Sequence, residues 1–315
     1  MKRCLLFGIC LWLSVTAVKG QSRGAENEYV KYNEFIGEAL REGFMSGKES
    51  KSKTIKEIRA ASALLVDEKE PMEAVTALKG KSKVLDGEEI FKQRKRSVFI
   101  FGKILSSDPK ALKFDLSGTA FAIAGDGVCI TNYHVLKDLI GKDGPTSKDS
   151  IYFLMSADKK IYRIDRILAF SQNNDLAVFK VDTHGEQLSA IPIGRPANTG
   201  APVYCLSHPL GHFYYFSKGI MARNVAVDSL SITYGYNKNG KAPVRMEITA
   251  DYGVGSSGGP ILDKYGNLIG VVTSTHPVGT QGGPGAGSYI QMMVKETIPV
   301  KALIDLLGTN LNYKR

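Results

Sequence analysis

The 315-residue chain has four cysteines, one tryptophan, and no apolar run long enough to span a membrane comfortably, which takes roughly 20 residues. Each scarcity removes a class. Two of the cysteines, Cys4 and Cys10, stand in the first twenty residues, so Cys129 and Cys205 alone cannot form the disulfide framework of a small secreted domain. Both lie in apolar, strand-like stretches and read as buried free thiols. Histidines are few. His208 and His212 are four apart, but Pro209 and Gly211 between them forbid a helix that would align two metal ligands, so both read as turn or surface residues. His184 and His276 read as loop residues without a spaced partner. No metal or organic cofactor is implied. The net charge of +10 comes from Lys and Arg spread along the chain, without an aromatic-interleaved basic patch, so no nucleic-acid partner is expected. The densest basic cluster, Lys92, Arg94, Lys95 and Arg96, reads as a solvated linker.

What is present begins with a leader. Lys2 and Arg3 precede an apolar stretch from Leu5 to about Val18, and small residues stand before a plausible cut ahead of Gln21. That layout predicts a secretory signal over residues 1–20 and export to a periplasm or the extracellular space. Its removal would lower the net charge to +7. Residues 21–95 are rich in Glu, Lys, Ala and Leu, with Pro71 as their only proline. Apolar residues at Tyr29, Tyr32, Phe35, Ile36 and Leu40, and again at Ile55, Ile58, Ala61 and Leu64, approximate helical spacing, and Gly43, Gly47 and the Ser/Lys-rich stretch from Ser46 to Ser52 break the two runs. Two or three helices are expected there, with no catalytic residue and nothing that supports a role in oligomerisation.

From residue 96 the texture changes to short β-branched and aromatic runs separated by Gly, Asp, Asn and Pro. Val98 to Phe101, Thr119 to Ala124, Val128 to Thr131, Ile151 to Met155, Leu176 to Val181, Val203 to Leu206 and Leu268 to Thr273 are the clearest. This is the pattern of an all-β sandwich or barrel, not of alternating βα units. Pro299 to Leu307 reads as a closing amphipathic helix, with Pro299 at its start and Gly308 at its end.

Three segments in the β region carry chemistry. They are Thr131-Asn132-Tyr133-His134, Asn173-Asn174-Asp175 and Gly255-Ser256-Ser257-Gly258-Gly259. A serine hydroxyl is a weak nucleophile until a histidine takes its proton, and an acid behind the ring fixes its tautomer. Glycines around the serine let two N–H groups aim at one developing oxyanion. The order His, Asp, Ser resembles the trypsin-like superfamily, and within it the HtrA/Deg-type proteases. Val203 to Gly211 is similar to the strand and Pro-containing turn that open the second barrel of that family.

The resemblance covers residues 96–307 and implies two packed antiparallel β-barrels, at 96–190 and 191–298, then the C-terminal helix, with no PDZ module expected in the chain that remains. It implies a serine endopeptidase acting on polypeptides, with His134 as general base, Asp175 as orienting acid and Ser257 as nucleophile. It places the oxyanion hole at the N–H groups of Gly255 and Ser257, and a substrate-pairing strand edge at Thr273, Ser274 and Thr275. Asp251, six positions before Ser257, stands where relatives that prefer basic residues carry a pocket acid. Activation by a cut, in which a freed amino group pairs with an acid directly before the nucleophile, is not expected, because Ser256 occupies that place.

Two alternatives share these residues. The Gly-x-Ser-x-Gly pattern also suits an esterase of the α/β-hydrolase type, but that fold needs the order Ser, acid, His and a helix after the serine. Pro260-Ile261-Leu262 reads as a strand instead. A non-catalytic peptide-binding or scaffold module on the same barrels would be expected to lack a triad residue, and here none is lacking.

Overall fold

The computed structural model describes residues 30–45, 53–106, 113–141, 151–226, 242–281 and 288–314. The leader expected over residues 1–20 and the Ser/Lys-rich break at 46–52 lie outside them. Twelve strands close into two six-stranded antiparallel barrels, the fold expected from the sequence. The first barrel is built from β2 (Val98–Ser106), β3 (Lys113–Ala122), β4 (Val128–Thr131), β5 (Ile151–Met155), β6 (Ile161–Ser171) and β7 (Leu176–Val181). The second comprises β8 (Pro202–Ser207), β9 (Tyr215–Ala226), β10 (Val244–Ile248), β11 (Pro260–Leu262), β12 (Leu268–Gln281) and β13 (Ser288–Pro299).

Each barrel has its own lining, Phe99, Phe101, Cys129 and Phe179 in the first and Val203, Cys205, Met246 and Ile261 in the second. A third and larger cluster lies between them. Ile100, Phe121 and Leu176 meet Leu206, Leu262 and Ile298 there, so the outer faces of the barrels fuse into one apolar body. Cys129 and Cys205 are free, buried in different barrels, and burial pushes both thiols up, that of Cys205 to about 12.

Residues before the first barrel join this body. α1 (Tyr32–Met45) places Ile36, Ala39 and Leu40 in the central cluster at spacings that share one helix face. α2 (Ile55–Ser62) and α3 (Gly87–Arg94) each start with a capping box, Thr54 with Glu57 and Asp86 with Glu89. β1 (Val75–Leu78) pairs in parallel with β14 (Leu311–Lys314), which follows α5 (Val300–Leu307), so the segment before the first barrel is tied to the C-terminal strand. Neither strand is marked by a sequence signal, since four residues carry little periodicity.

The solvated linker expected at residues 92–96 is corrected at Arg94. That side chain is buried, and its Nε donates to the Gly266 carbonyl at 2.7 Å, which ties α3 to the turn after β11. Two histidine expectations also change. His276 lies within β12 and not in a loop, with Nε2 3.0 Å from Ser274 Oγ. His208, read as a turn or surface residue, is buried at the junction of β8 with the chain that leads to the serine segment.

Candidate active site

Sheet register brings the first two residues together. β4 and β7 are antiparallel neighbours with Thr131 opposite Ala177, so the end of one lies beside the start of the other. His134 sits on α4 (Tyr133–Leu136), the single turn that follows β4, and Asp175 occupies the turn that opens β7. Asp175 has φ +60, a left-handed conformation that Asp tolerates better than bulkier residues. Its carbonyl accepts from Asn132 Nδ2 at 3.0 Å and from the Tyr133 N–H at 3.1 Å, which locks the two turns together.

The carboxylate of Asp175 is buried and receives three donors. His134 Nδ1 lies 2.9 Å from Oδ2, and the His134 N–H donates to Oδ1 at 3.0 Å. Thr273 Oγ1 donates to Oδ2 at 2.7 Å from the other barrel. The Nδ1–H tautomer follows from the carboxylate's acceptor-only chemistry, which leaves Nε2 of His134 as an acceptor on the exposed side of the ring.

Ser257 reaches the same place from the second barrel. Its carbonyl accepts from the Thr119 N–H at 2.8 Å, and a Cβ on Gly118 would lie 3.3 Å both from that carbonyl and from Val135, the neighbour of His134. The Gly253 carbonyl accepts from the Ser256 N–H at 3.0 Å and closes a turn with Gly255 at its third position. Gly255 has φ +89, as a type II turn requires, and a Cβ there would stand 2.8 Å from the His208 carbonyl. Gly258 has φ +82, and a Cβ would come within 2.2 Å of the Thr119 carbonyl and of Thr131 Oγ1. Among the described residues, no group accepts from the N–H of Gly255 or of Ser257.

His208 forms the floor beneath this turn. Its Nδ1 accepts from the Tyr214 N–H at 2.9 Å, and burial holds its pKa down at about 3, a loose contact with the Phe99 backbone offsetting only part of that fall. Thr119 Oγ1 adds a bond to the Gly255 carbonyl at 3.0 Å. The sequence marks no role for Thr119, for Asn132 beyond its place in the His134 segment, or for His208, because their hydrogen bonds run through backbone groups or to partners distant in the chain.

Thr273, Ser274 and Thr275 lie on β12 and bind differently from one another. Thr273 is bulged toward Asp175, Ser274 pairs with Glu296, and Thr275 with Lys295. The Ser274 carbonyl accepts from Tyr252 Oη at 3.0 Å. Past Val272, β12 has β13 on one edge and no strand on the other among the described residues. Asp251 is apart from the His134–Asp175 pair. Its side chain is 72% exposed, and Lys295 Nζ holds it at 2.8 Å, so its charge is neutralised by a neighbour on β13.

Comparison with known proteins bears on the domain and its fold. Residues 118–271 match the trypsin-like peptidase domain family. The chain contains a trypsin-like peptidase domain. Among its relatives, Protease Do-like 5, chloroplastic, of Arabidopsis thaliana is 26% identical over 219 residues, 68% of this chain and 64% of that protein. Serine protease HtrA-like of Staphylococcus aureus is 29% identical over 169 residues, 50% of this chain and 20% of that protein. The chain thus spans less than two thirds of the length of these HtrA/Deg-type relatives. Among solved structures, an HtrA-type protease, AlgW, bound to a decapeptide superposes with a TM-score of 0.53 at 20% identity, covering 72% of this chain and 69% of that one. The peptidase domain has the same fold as that protein. Among the described residues, no helix is long and apolar enough to cross a membrane.

Proposed function

We propose that the chain is an exported serine endopeptidase that cleaves polypeptides through an acyl-enzyme, with His134, Asp175 and Ser257 as its triad. The observation that carries this reading is the Asp175 carboxylate, buried between the barrels and held by His134 from one side and Thr273 from the other. A buried carboxylate so oriented fixes the Nδ1–H tautomer and stabilises the imidazolium that forms when Nε2 takes a proton. Ser257 Oγ attacks the scissile carbonyl while His134 removes its proton, and the carbonyl oxygen becomes an oxyanion. The N–H groups of Gly255 and Ser257 stabilise that oxygen. His134 then returns the proton to the departing amine, the C–N bond breaks, and water repeats the sequence to free the acid. The open edge of β12 from Thr273 onward suits an extended substrate that adds a strand.

Replacing Ser257 by Ala tests the reading. Loss of the nucleophile in an enzyme of this chemistry lowers kcat by about 10⁶, so casein or peptide hydrolysis should fall to background while the circular dichroism spectrum is retained. A fluorophosphonate should label the native chain and not the variant. Residual hydrolysis above a few per cent in the variant would remove Ser257 from its role.

A further inference from the structure

Beside the oxyanion turn the cleft holds a cavity of about 170 Å³. Leu116 and Gly118 of β3 form one wall together with Ile100 of β2, while Leu210, Phe213 and Val254 form the other. Gly255 lies at its edge, and a Cβ on Gly118 would stand 3.3 Å from the Ser257 carbonyl, so the cavity adjoins the reacting centre. None of Thr273, Ser274 and Thr275 lines it. A peptide whose acyl part pairs with the β12 edge therefore passes Ser257 before its departing part reaches this cavity.

The lining is mostly apolar, with Ser117 and His208 as its polar side chains. It contains no Asp, Glu, Lys or Arg, and His208, its one titratable member, is kept neutral by burial. Its apolar wall is also held from behind, since the Phe213 ring packs 5.3 Å from that of Tyr32 on α1. The cavity's volume is enough for one large apolar side chain, and it opens to solvent where Leu210 and Val254 are each 74% exposed. A charged side chain entering it would lose part of its water and meet no opposite charge.

We propose that this cavity selects a large apolar side chain, such as Phe, Leu or Met, in the first two residues after the scissile bond. The inference rests on the peptidase reading above and adds to it the substrate class on the departing side. Burial of one such side chain corresponds to about a 10–100-fold preference in kcat/KM.

Internally quenched peptides, identical before the cut and differing only in the two residues after it, measure this with the full chain. Phe or Leu at one of those positions should exceed Lys, Asp or Gly by that factor. Ser117→Phe, at the exposed mouth, should fill the cavity and erase the preference, and Leu210→Asn should reduce it by thinning the apolar wall. Both variants should hydrolyse a peptidyl methyl ester at the native rate, because that substrate places nothing in the cavity. Equal cleavage of the Phe and Lys peptides by a native chain that hydrolyses the ester would overturn the cavity's role alone. Failure of the native chain to hydrolyse the ester or to react with a fluorophosphonate would overturn the peptidase reading and the inference with it.

Discussion

A histidine ring closed off from water, as His208 is, makes stability depend on pH. Its folded pKa of about 3 lies far below the ordinary value of 6.5. Between those two values the unfolded chain binds the proton and the folded chain does not, so stability rises with pH and is lost as pH falls from about 6.5 toward 3. One proton contributes about 1.4 kcal/mol for each pH unit in that window. Urea midpoints measured from pH 7 to 4 should therefore fall less steeply for His208→Gln, whose amide can still accept from the Tyr214 N–H. Parallel slopes for the two proteins would show that His208 is not a source of acid instability. The same residue shows what sequence can carry at this scale. His134, Asp175 and Ser257 stand in short segments whose chemistry is local, so they are marked in the sequence. Thr273 acts on Asp175 across 98 positions and Thr119 on Gly255 across 136, and their value comes from hydrogen bonds that only the closed barrels create.

Elements were legible where a physical signal is dense. The helix from Val300 to Leu307 is bounded by Pro299 and Gly308 as expected, because a missing N–H and a positive φ of 52° are both encoded in single residues. The ribbon of β12 and β13 beyond Val272 was not, since glycine, proline and turn-like residues interrupt its alternation. The consequence of α1 was also invisible in its sequence. Tyr32 packs against Phe213 and lies 6.4 Å from the Tyr214 ring; Tyr214 in turn donates to His208, whose carbonyl abuts Gly255. α1 thus buttresses the Gly253–Ser256 turn, the proposed oxyanion hole, through three contacts. Aromatic pairs of this kind contribute about 0.5–1.5 kcal/mol, so Tyr32→Ala should lower kcat about 3–10-fold with little change in KM. Tyr32→Phe, which keeps the ring, should restore the rate. A loss of thermal stability with kcat unchanged would mean that Tyr32 only packs and does not position the turn.

At the scale of the molecule, the segment before the first barrel is part of the body, and this bears on activation. In the trypsinogen-like scheme a new amino terminus enters the fold and pairs with an acid next to the nucleophile. Here Ser256 is fully buried in that place, and its Oγ accepts from Ser207 Oγ at 2.9 Å and from the Gly253 N–H at 3.3 Å. Hydroxyls already satisfy one another there, and a cation arriving among them would cost roughly several kcal/mol without a carboxylate. The terminus could not arrive in any case. Ser97 is buried with its Oγ 3.0 Å from Ser189 Oγ, and Val98 is already paired with Phe121 in the first barrel. Upstream, Ile90 is buried in the central cluster, Arg94 is anchored at Gly266, and β1 clasps β14. The expected outcome is that Lys95→Gln with Arg96→Gln, which spares buried Arg94, leaves peptide hydrolysis at the native level. A cleavage site engineered between residues 95 and 96 should, when cut, lower the melting temperature and raise no activity. A native chain that stays inert until it is cut near Arg96 would show instead that residues 21–95 hold the site shut.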